Sequence, residues 1–454
     1  FDLECLAAAA PHLASTLLCP EGDLDALDIP TPRTYVEAIT GPYSSKWQIA
    51  MDAEMDSWKS TGTYDDEVPP PGANIVDGMW IFRMKWPPGS SPAFKARYVA
   101  GGLSQREGVD FFHTFSPTPK MTTLWVLLHV AAQRDYELHS LDFSTAFLQG
   151  SLHEAIWLRR LRGFTGSFPE GTQWSLQRPV YGLRQAPSEW HDTLRTRLAA
   201  LGFTPSTADP SLFLCTDTSL PPFYVLVYVD DLVFATADTK ALALGKAELQ
   251  ERHTCTDLGE LRSYLGLQIT RDKARRTITL TQSHMVLQVL QRFDFTWSSP
   301  QPTPLSTGHP LSAPPSDESV EPSGPCPELM GCLITSGMGL VLGGPGPVVL
   351  TSHLDASWAD YETTHRTTQG CEAEIYAGAM AAQELRWLTY LLTDLGELPR
   401  SPPILYWRGQ FRLAYGATQA NTADVFTKAL RSSDHQRFCT TLGLVPTLPH
   451  LLVS

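Results

Sequence analysis

The sequence predicts an α+β fold, because strand-like and helix-like segments follow one another irregularly rather than as βαβ repeats. Two apolar, strand-forming runs end at acidic residues. ELHSLDF reaches Asp142, and FYVLVYVDDLVFA contains Asp230 and Asp231. Other segments carry apolar residues at the three- and four-residue spacing of an amphipathic helix. A proline-rich stretch then separates this part of the chain from a shorter C-terminal part.

The first 45 residues are rich in Ala, Pro and Asp, so we expect an acidic, poorly ordered arm over 1–45. A helix follows, with Trp47, Met51, Met55 and Trp58 on one stripe. The remaining elements predicted before residue 300 are a hairpin over 74–99, helices over 121–134, 186–202, 240–253 and 282–293, a hairpin around Asp230, and a strand pair over 262–281.

Residues 301–330 are predicted to be a linker, because nine prolines lie between positions 300 and 327 among Ser and Thr. The remaining residues, 331–454, are few for a domain. They contain an apolar strand, VVLTSHLDASW, and helical patterns over 372–392 and 421–430.

The charge is unevenly distributed along the 454 residues. A net charge of −14 by itself argues against a nucleic-acid partner, because phosphate binding requires a basic surface. Residues 1–70 carry 13 acidic and 3 basic residues, however, and so contribute −10. Seven Lys and Arg lie within 80–134 and seven Arg within 156–202, against two and three acidic residues. Two basic blocks therefore flank Asp142, although scattered surface charges are the alternative interpretation.

The chain has the composition of a globular protein, with 43% hydrophobic residues and no apolar run near the length of a membrane span. Its first residues weakly resemble a signal peptide, but Asp2 and Glu4 stand where positive charge belongs, and the chain starts with Phe. We interpret this as a fragment or a start within a polyprotein. The eight cysteines form no Cys-x-x-Cys pair and have no His partner at ligand spacing, so we expect reduced thiols and no zinc site.

Asp230 and Asp231 are adjacent like charges between apolar strands, where they repel each other and lose hydration. A divalent cation is the simplest partner for them. With Asp142 they supply the three carboxylates of a two-metal phosphoryl-transfer site. The alternative is a hairpin whose turn aspartates are solvated.

Several motifs in order carry a family resemblance. They are KARYVAGGLSQREGVDFFHTFSPTPKMTTL, ELHSLDFSTAFLQGSL, VYGLRQAPSEWHDTL, ADPSLFL, VLVYVDDLVFA, DLGELRSYLGLQITRD and ADVFTKAL. The chain resembles the reverse transcriptase of copia-type retrotransposons, almost continuously over residues 46–300. The resemblance implies a right-hand polymerase fold with fingers, palm and a partial thumb over those residues.

The resemblance assigns metal binding to Asp142, the backbone of Phe143, Asp230 and the adjacent Asp231. Two Mg²⁺ ions are implied, for which Mn²⁺ can substitute. Phe147 corresponds to the aromatic residue that excludes a ribose 2′-hydroxyl, and core packing is its alternative role.

Other residues correspond to substrate contacts in the family. Gln185 falls against the nascent base pair and its nucleotide, with Trp190 in the supporting helix and Arg184 as a phosphate or template contact. Lys95 and Arg97 are candidates for binding the triphosphate, although a solvated hairpin also carries such residues. Leu265 and Gly266 resemble the primer grip. Gly101, Leu103 and Trp125 depart from the family pattern, and each replaces a probable nucleic-acid contact.

The C-terminal part resembles a truncated ribonuclease H-like α/β domain. Asp355, Glu374 and Asp424 match its metal-binding acids, but Arg408 stands where the remaining acid belongs. A guanidinium there repels a cation instead of attracting it. Segments around these residues are also shortened, so we expect a remnant without ribonuclease H activity.

The leading hypothesis is an RNA-directed DNA polymerase that uses an RNA template, a DNA primer or RNA:DNA hybrid, and deoxynucleoside triphosphates. The alternative is a decayed or repurposed retroelement product that binds nucleic acid without catalysis. We expect an intracellular protein, in a cytoplasmic retroelement particle or in the nucleus, with no membrane partner. The sequence gives no prediction of the oligomeric state.

Overall fold

The computed structural model describes residues 29–85, 92–161, 169–217, 219–282, 338–344, 370–397, 432–441 and 444–446. The chain divides into two compact units. The first unit comprises Phe1–Pro119, Leu138–Pro205 and Pro210–Glu260, and the second comprises Lys120–Glu137, Ser206–Asp209 and Leu261–Ser454.

The described residues form both helices and strands, which confirms the predicted α+β class. The helices are α1 (Tyr35–Thr40), α2 (Ser44–Ser60), α3 (Met121–Arg134), α4 (Ala186–Ala200), α5 (Thr239–Arg252), α6 (Gly370–Asp394) and α7 (Ser432–Thr441). The strands are β1 (Tyr64–Glu67), β2 (Ile75–Val76), β3 (Gly78–Lys85), β4 (Ala93–Ala100), β5 (Glu137–Phe143), β6 (Ile156–Leu158), β7 (Gln173–Leu176), β8 (Phe203–Pro205), β9 (Leu212–Cys215), β10 (Phe223–Tyr228), β11 (Asp231–Thr236), β12 (Cys255–Glu260), β13 (Ser263–Tyr264), β14 (Leu267–Asp272), β15 (Thr277–Thr281), β16 (Met338–Gly343) and β17 (Leu444–Pro446).

Helix α1 lies inside the predicted poorly ordered arm, which corrects that prediction for residues 35–40. The Thr34 side chain accepts a hydrogen bond from the Glu37 backbone amide, and the Glu37 carboxylate accepts one from the Arg33 amide. The Thr34 side chain thus satisfies an amide that the first helical turn leaves unpaired, and the Glu37 carboxylate satisfies the amide of the residue before the N-cap. Residues 1–28 lie outside the described part of the chain.

Helix α2 confirms the predicted apolar stripe, because Trp47, Met51, Met55 and Trp58 are all buried. Trp58 lies 5.8 Å from the ring of Tyr98 and 5.9 Å from that of Trp174, between ring centroids. These contacts lie in the range that aromatic pairs prefer.

The main sheet of the first unit has six strands in the order β12-β5-β11-β10-β9-β8. The hairpin predicted around Asp230 is confirmed as β10 and β11, whose residues are almost all buried. The predicted helices over 186–202 and 240–253 correspond to α4 and α5.

Two smaller sheets complete the first unit. Strands β3 and β4 pair in the predicted hairpin, although residues 86–91 of its turn are not described. A four-stranded sheet has the order β1-β7-β6-β2. The four-stranded sheet was not predicted from the sequence. Strand β1 has the sequence YDDE, and because its last three residues are exposed, it lacks the alternation of apolar and polar residues that is typical of a strand.

The second unit pairs strands in the order β13-β14-β15-β16-β17. The predicted strand pair over 262–281 is confirmed as β13, β14 and β15, and the predicted helix over 121–134 as α3. Helix α6 corresponds to the pattern over 372–392. The predicted helices over 282–293 and 421–430 and the linker lie outside the described residues.

No described helix combines the length and the apolarity that a membrane span requires.

Candidate active site

The turn between β10 and β11 holds the paired aspartates. Tyr228 pairs with Asp231 across the hairpin, so Val229 and Asp230 form a two-residue loop. Val229 has a φ of +54°. Two-residue hairpin loops commonly need positive φ, although a β-branched residue rarely adopts it. Asp230 therefore lies at the hairpin tip, and Asp231 begins the returning strand.

The end of β5 lies beside this turn. The Phe143 backbone amide donates a hydrogen bond to the Asp230 carbonyl oxygen at 2.8 Å. Because Asp142 immediately precedes Phe143, this bond brings Asp142 and Asp230 to the same end of the six-stranded sheet. Asp142, Asp230 and Asp231 are all half-buried. The structure thus brings together the backbones of two acidic segments that are far apart in the sequence.

A tryptophan of helix α4 holds the turn in place through a hydrogen bond. The Trp190 indole Nε1–H donates a hydrogen bond to the Val229 carbonyl oxygen at 2.6 Å. The Trp190 ring is 1% exposed and lies 5.0 Å from the Phe143 ring, between centroids. One side chain therefore contacts both the strained loop and the residue next to Asp142.

Negative charge accumulates at this end of the sheet. Burial raises the pKa of the Tyr228 phenol, and the Asp231 and Asp230 carboxylates raise it further. Burial likewise raises the pKa of the Cys255 thiol, with smaller contributions from nearby carboxylates that include Asp142. Both groups are therefore held neutral at ordinary pH.

The oxygen donors suit a hard divalent cation. Mg²⁺ is commonly held by one or two carboxylates together with substrate phosphates and water. Asp142 and Asp230 can supply such carboxylates. Within the described residues, no three or more His, Cys, Asp or Glu side chains lie close enough to hold a metal ion by themselves. Carboxylate oxygens of this kind are chemically suited to such a cation, and the metal contacts of Asp142, Phe143, Asp230 and Asp231 stay predictions.

Phe147 lies in a short 3₁₀ turn, Ala146–Gln149, directly after β5. Its side chain is 8% exposed, and its ring centroid lies 4.6 Å from that of Tyr181. This placement suits core packing as well as contact with a sugar, and the role in sugar choice stays a prediction.

Lys95 and Arg97 lie two residues apart on β4 and therefore share one face of the hairpin. The Arg97 guanidinium carbon lies 4.1 Å from the Tyr181 ring centroid. Glu54 of α2 is 3% exposed, and burial raises its pKa, while Lys95 and then Arg97 act to lower it. A buried acid thus lies within electrostatic reach of both basic residues, and no sequence motif predicted it.

Gln185 is fully buried just before α4. Its Oε1 accepts a hydrogen bond from Gln105 Nε2 at 2.9 Å. Its Nε2 donates to the Asp110 carbonyl at 2.8 Å and to the Glu154 carboxylate at 3.4 Å. In this conformation Gln185 organises the loop before α3, and its predicted contact with the nucleotide stays a prediction.

Tyr181 is a site residue that sequence reasoning missed. Its ring contacts both Phe147 and Arg97, two residues that the sequence assigned to the nucleotide. Burial raises the pKa of its phenol to about 12, Arg97 opposes this, and Asp230 and Asp142 are among the groups that reinforce it. The sequence feature that could have identified Tyr181 is its position in the motif VYGLRQAP, four residues before Gln185.

A model of the family described as reverse transcriptase (RNA-dependent DNA polymerase) matches residues 63–307, which is more than half of the chain. The chain belongs to the reverse transcriptase family. The carboxylates, Phe147, Gln185, Lys95, Arg97 and Tyr181 all lie within the matched residues.

Relatives among curated proteins agree with this assignment. The chain is 26% identical over 516 aligned positions to the retrovirus-related Pol polyprotein from transposon RE1 of Arabidopsis thaliana, which covers 92% of this chain and 35% of the relative. It is 31% identical over 279 positions to the corresponding polyprotein from transposon TNT 1-94 of Nicotiana tabacum, which covers 61% of this chain and 21% of the relative. The predicted copia-type reverse transcriptase is thereby confirmed.

The chain spans about a third of the RE1 polyprotein and about a fifth of the tobacco polyprotein, since it covers 35% of the former and 21% of the latter. Among solved structures, a foamy viral protease-reverse transcriptase in complex with double-stranded DNA is similar, with a TM-score of 0.31 and 17% identity. That match covers 56% of this chain and 38% of the viral chain.

Two of the positions that depart from the family pattern lie in the first unit of the reverse transcriptase. Leu103 is 93% exposed, so its side chain packs against almost nothing. The Gly101 amide donates to the Asp77 carbonyl at 2.6 Å, and a Cβ there would lie 3.1 Å from the same oxygen. Trp125 is half-buried in α3.

The residues resembling the primer grip form a tight turn in the second unit. Leu265 and Gly266 connect β13 to β14, with φ values of +49° and +78°. Positive φ at both central positions is the mark of a type I′ turn. A contact with the primer stays a prediction.

The ribonuclease H prediction is largely beyond what the structure describes. Asp355, Asp424 and Arg408 lie outside the described residues, and Glu374 lies within α6 at a position whose side chain is not described. Loss of that activity therefore stays a prediction.

Proposed function

We propose that residues 46–300 catalyse RNA-directed DNA synthesis. A primer 3′-hydroxyl oxygen attacks the α-phosphorus of a deoxynucleoside triphosphate, the bond to the β-phosphate breaks, and pyrophosphate leaves. The observation that carries this proposal is the hydrogen bond from the Phe143 amide to the Asp230 carbonyl, which joins the ends of two acidic motifs. Membership of a family described as RNA-dependent DNA polymerases supports the reaction class.

In this proposal, Asp142 and Asp230 hold the divalent ions, two Mg²⁺ or Mn²⁺ in their place, with the Phe143 backbone and Asp231 in support. When bound, such ions activate the attacking hydroxyl and neutralise charge on the transferring phosphoryl group. The protein's own contribution is to place two carboxylates at one end of a rigid sheet. The loop that carries Asp230 is fixed by Trp190, so little reorganisation is needed when substrate arrives.

The nucleotide is bound beside these carboxylates. Lys95 and Arg97 offer fixed positive charge to the triphosphate. This positive charge stabilises the negative charge that develops on the pyrophosphate as it leaves. Phe147 limits space at the sugar and so favours a deoxyribose. Gln185 holds the loop that includes Asp110 and orders the wall of the pocket.

The assignment of polymerase subdomains follows from these roles. The β3–β4 hairpin acts as fingers, the six-stranded sheet with α4 and α5 acts as the palm, and the strands after Leu261 form part of a thumb. The proposed partners are an RNA template, a DNA primer or RNA:DNA hybrid, and deoxynucleoside triphosphates. We expect the protein to act inside the cell, in a cytoplasmic retroelement particle or in the nucleus.

Primer extension on an RNA template tests the proposal. The full chain should extend a labelled DNA primer with Mg²⁺, and Asp230→Asn should lower the rate by about a hundredfold or more, because charge stabilisation at the reacting phosphate is lost. Asp217→Asn is the matched control, since Asp217 is exposed and the described hydrogen bonds of its carboxylate are local ones from Ser219. Salt-sensitive binding of the duplex without any extension would overturn catalysis and indicate a nucleic-acid-binding product instead.

A further inference from the structure

Tyr181 contacts two groups that the proposed function assigns to the nucleotide. Its ring centroid is 4.6 Å from that of Phe147, and the Arg97 guanidinium carbon is 4.1 Å from the Tyr181 centroid. A guanidinium over an aromatic face is attracted by the ring's negative potential. The ring therefore orients Arg97 as well as filling space next to Phe147.

The backbone holds Tyr181 in this position. The Ala100 amide donates a hydrogen bond to the Tyr181 carbonyl at 2.8 Å, which ties the segment to β4. Gly182 follows with a φ of +92°, and a Cβ at this position would lie 2.1 Å from the Ala100 carbonyl oxygen. Only glycine permits this approach. The position of the ring is therefore set by the contact between the two segments.

The hydroxyl of Tyr181 is buried but has no hydrogen-bond partner among the described residues. Burying such a group without a partner is costly, and native structures rarely do so without a functional reason. Burial raises its pKa to about 12, so at neutral pH the phenol remains a protonated hydrogen-bond donor. What the hydroxyl lacks is an acceptor.

We propose that the Tyr181 hydroxyl donates a hydrogen bond to a triphosphate oxygen of the incoming deoxynucleotide, while its ring keeps Arg97 facing the same anion. This inference rests on the proposed function. A triphosphate oxygen is an acceptor without a proton of its own. A neutral donor beside the Arg97 cation is better suited to binding such an anion than to binding a sugar hydroxyl. Tyr181 is thus a nucleotide-binding residue, distinct from the carboxylates that bind the cation.

Tyr181→Phe isolates the hydroxyl, because it keeps the ring that contacts Arg97 and Phe147. In single-nucleotide incorporation by the full chain, we expect KM for the deoxynucleotide to rise about tenfold, the value of one hydrogen bond to a charged group, with kcat changed much less. Affinity for the primer–template should not change. Thermal stability should not fall, since the hydroxyl has no hydrogen-bond partner to lose in the part of the chain that the structure describes.

Tyr98→Phe is the matched control. Tyr98 is also buried, but its hydroxyl donates to the Arg159 carbonyl at 3.2 Å. Its loss should lower thermal stability and leave KM unchanged. A KM for Tyr181→Phe within about twofold of wild type, or a stability loss like that of Tyr98→Phe, would overturn the proposal, since a charge-assisted bond is worth more than that.

Two further measurements separate the possible outcomes. Equilibrium binding of a deoxynucleotide to the chain on a dideoxy-terminated primer should weaken about tenfold in Tyr181→Phe even if chemistry is absent. Binding without extension contradicts the proposed function alone, whereas no nucleotide binding by wild type overturns both. The penalty should persist with a dideoxynucleoside triphosphate. If it disappears, the hydroxyl binds the 3′-hydroxyl of the sugar and the triphosphate assignment is wrong.

Discussion

At the scale of single residues, Val229 and Trp190 explain how the carboxylates are positioned. Val229 adopts a φ of +54°, which costs conformational energy in a β-branched residue. The Trp190 indole donates to the carbonyl of that same residue, and its ring packs on Phe143. The strained conformation is therefore maintained by a partner from another element.

Trp190→Phe should destabilise the protein by about 1–3 kcal/mol, because the Val229 carbonyl loses a buried donor. It should also slow primer extension by about tenfold or more, since small displacements of reacting groups are costly. Urea unfolding and extension rates measure the two effects. Trp47→Phe, which alters a buried tryptophan packed on Phe82, should cost stability without a comparable loss of rate. Equal rate losses in both variants would contradict a role for Trp190 at the turn.

Glu54 gives the protein a pH dependence at the residue scale. Because burial raises its pKa above the ordinary value of 4.5, the folded state holds this proton more tightly than the unfolded state does. The free energy of unfolding should therefore fall as pH rises from that ordinary value through the raised folded pKa, and then level off. Glu54→Gln should remove this fall and stabilise the protein at neutral pH.

Unfolding by urea across acid and neutral pH measures this effect, with Glu67→Gln at an exposed position of β1 as the control. Glutamine can still accept the bond that the Trp58 indole donates to Glu54. The same pH profile in wild type and Glu54→Gln would show that the buried carboxyl does not control stability.

At the scale of elements, the segment 181–185 is joined to β4 and the loop after it. The Ala100 amide bonds to the Tyr181 carbonyl, and Gln105 Oε1 accepts from the Arg184 amide at 2.8 Å. The segment thereby connects the predicted triphosphate-binding strand with the N-terminus of α4, which supports the turn at Asp230.

Gly182→Ala tests that connection. A Cβ would lie 2.1 Å from the Ala100 carbonyl oxygen in a backbone with φ of +92°, so we expect a loss of about 3 kcal/mol or more in the free energy of unfolding. Gly202→Ala is the control, since Gly202 has φ of +85° with nothing within 4 Å. It should cost only about 1–2 kcal/mol, the strain of the left-handed conformation. Equal losses would mean that the close approach does not exist.

Elements with strong local signals were predictable from the sequence. In helix α2 and in the hairpin β10–β11, the pattern of apolar residues directly predicts which side chains are buried. Helix α1 was missed because Pro and Asp dominated its surroundings, although Thr34 and Glu37 form a recognisable cap. Strand β1 was missed because its residues are mostly polar. They pair with β7 through backbone hydrogen bonds, which a pattern of side chains does not predict.

The site shows the same division. The carboxylates and Phe147 could be proposed as site residues from motifs, because each motif is local in the sequence. The orphaned hydroxyl of Tyr181, the burial of Glu54 and the hydrogen bonds of Gln185 were not predictable. These properties depend on residues that are distant in the sequence. The Gln185 side chain, for example, bonds to residues 31 to 80 positions away, and a single sequence does not reveal such pairings.

At the scale of the whole molecule, we expect polymerisation without ribonuclease H activity. Arg408 stands where a metal-binding acid is expected, and its positive charge opposes a cation held by Asp355, Glu374 and Asp424. A labelled RNA:DNA hybrid incubated with the full chain and Mg²⁺ or Mn²⁺ should stay uncut under conditions that support primer extension. Metal-dependent cleavage that Asp355→Asn abolishes would show that the site still works.

The most direct test of the central claim is whether Asp142 and Asp230 act as one site. Single-turnover incorporation of one nucleotide on an RNA template should be measured for Asp142→Asn, Asp230→Asn and the double variant. We expect each single variant to lose about a hundredfold or more in rate, and the double variant to be no slower than the worse single one, because groups that act as a unit are not additive. A wild-type rate in either single variant, or losses that multiply in the double variant, would contradict a shared nucleotidyl-transfer site.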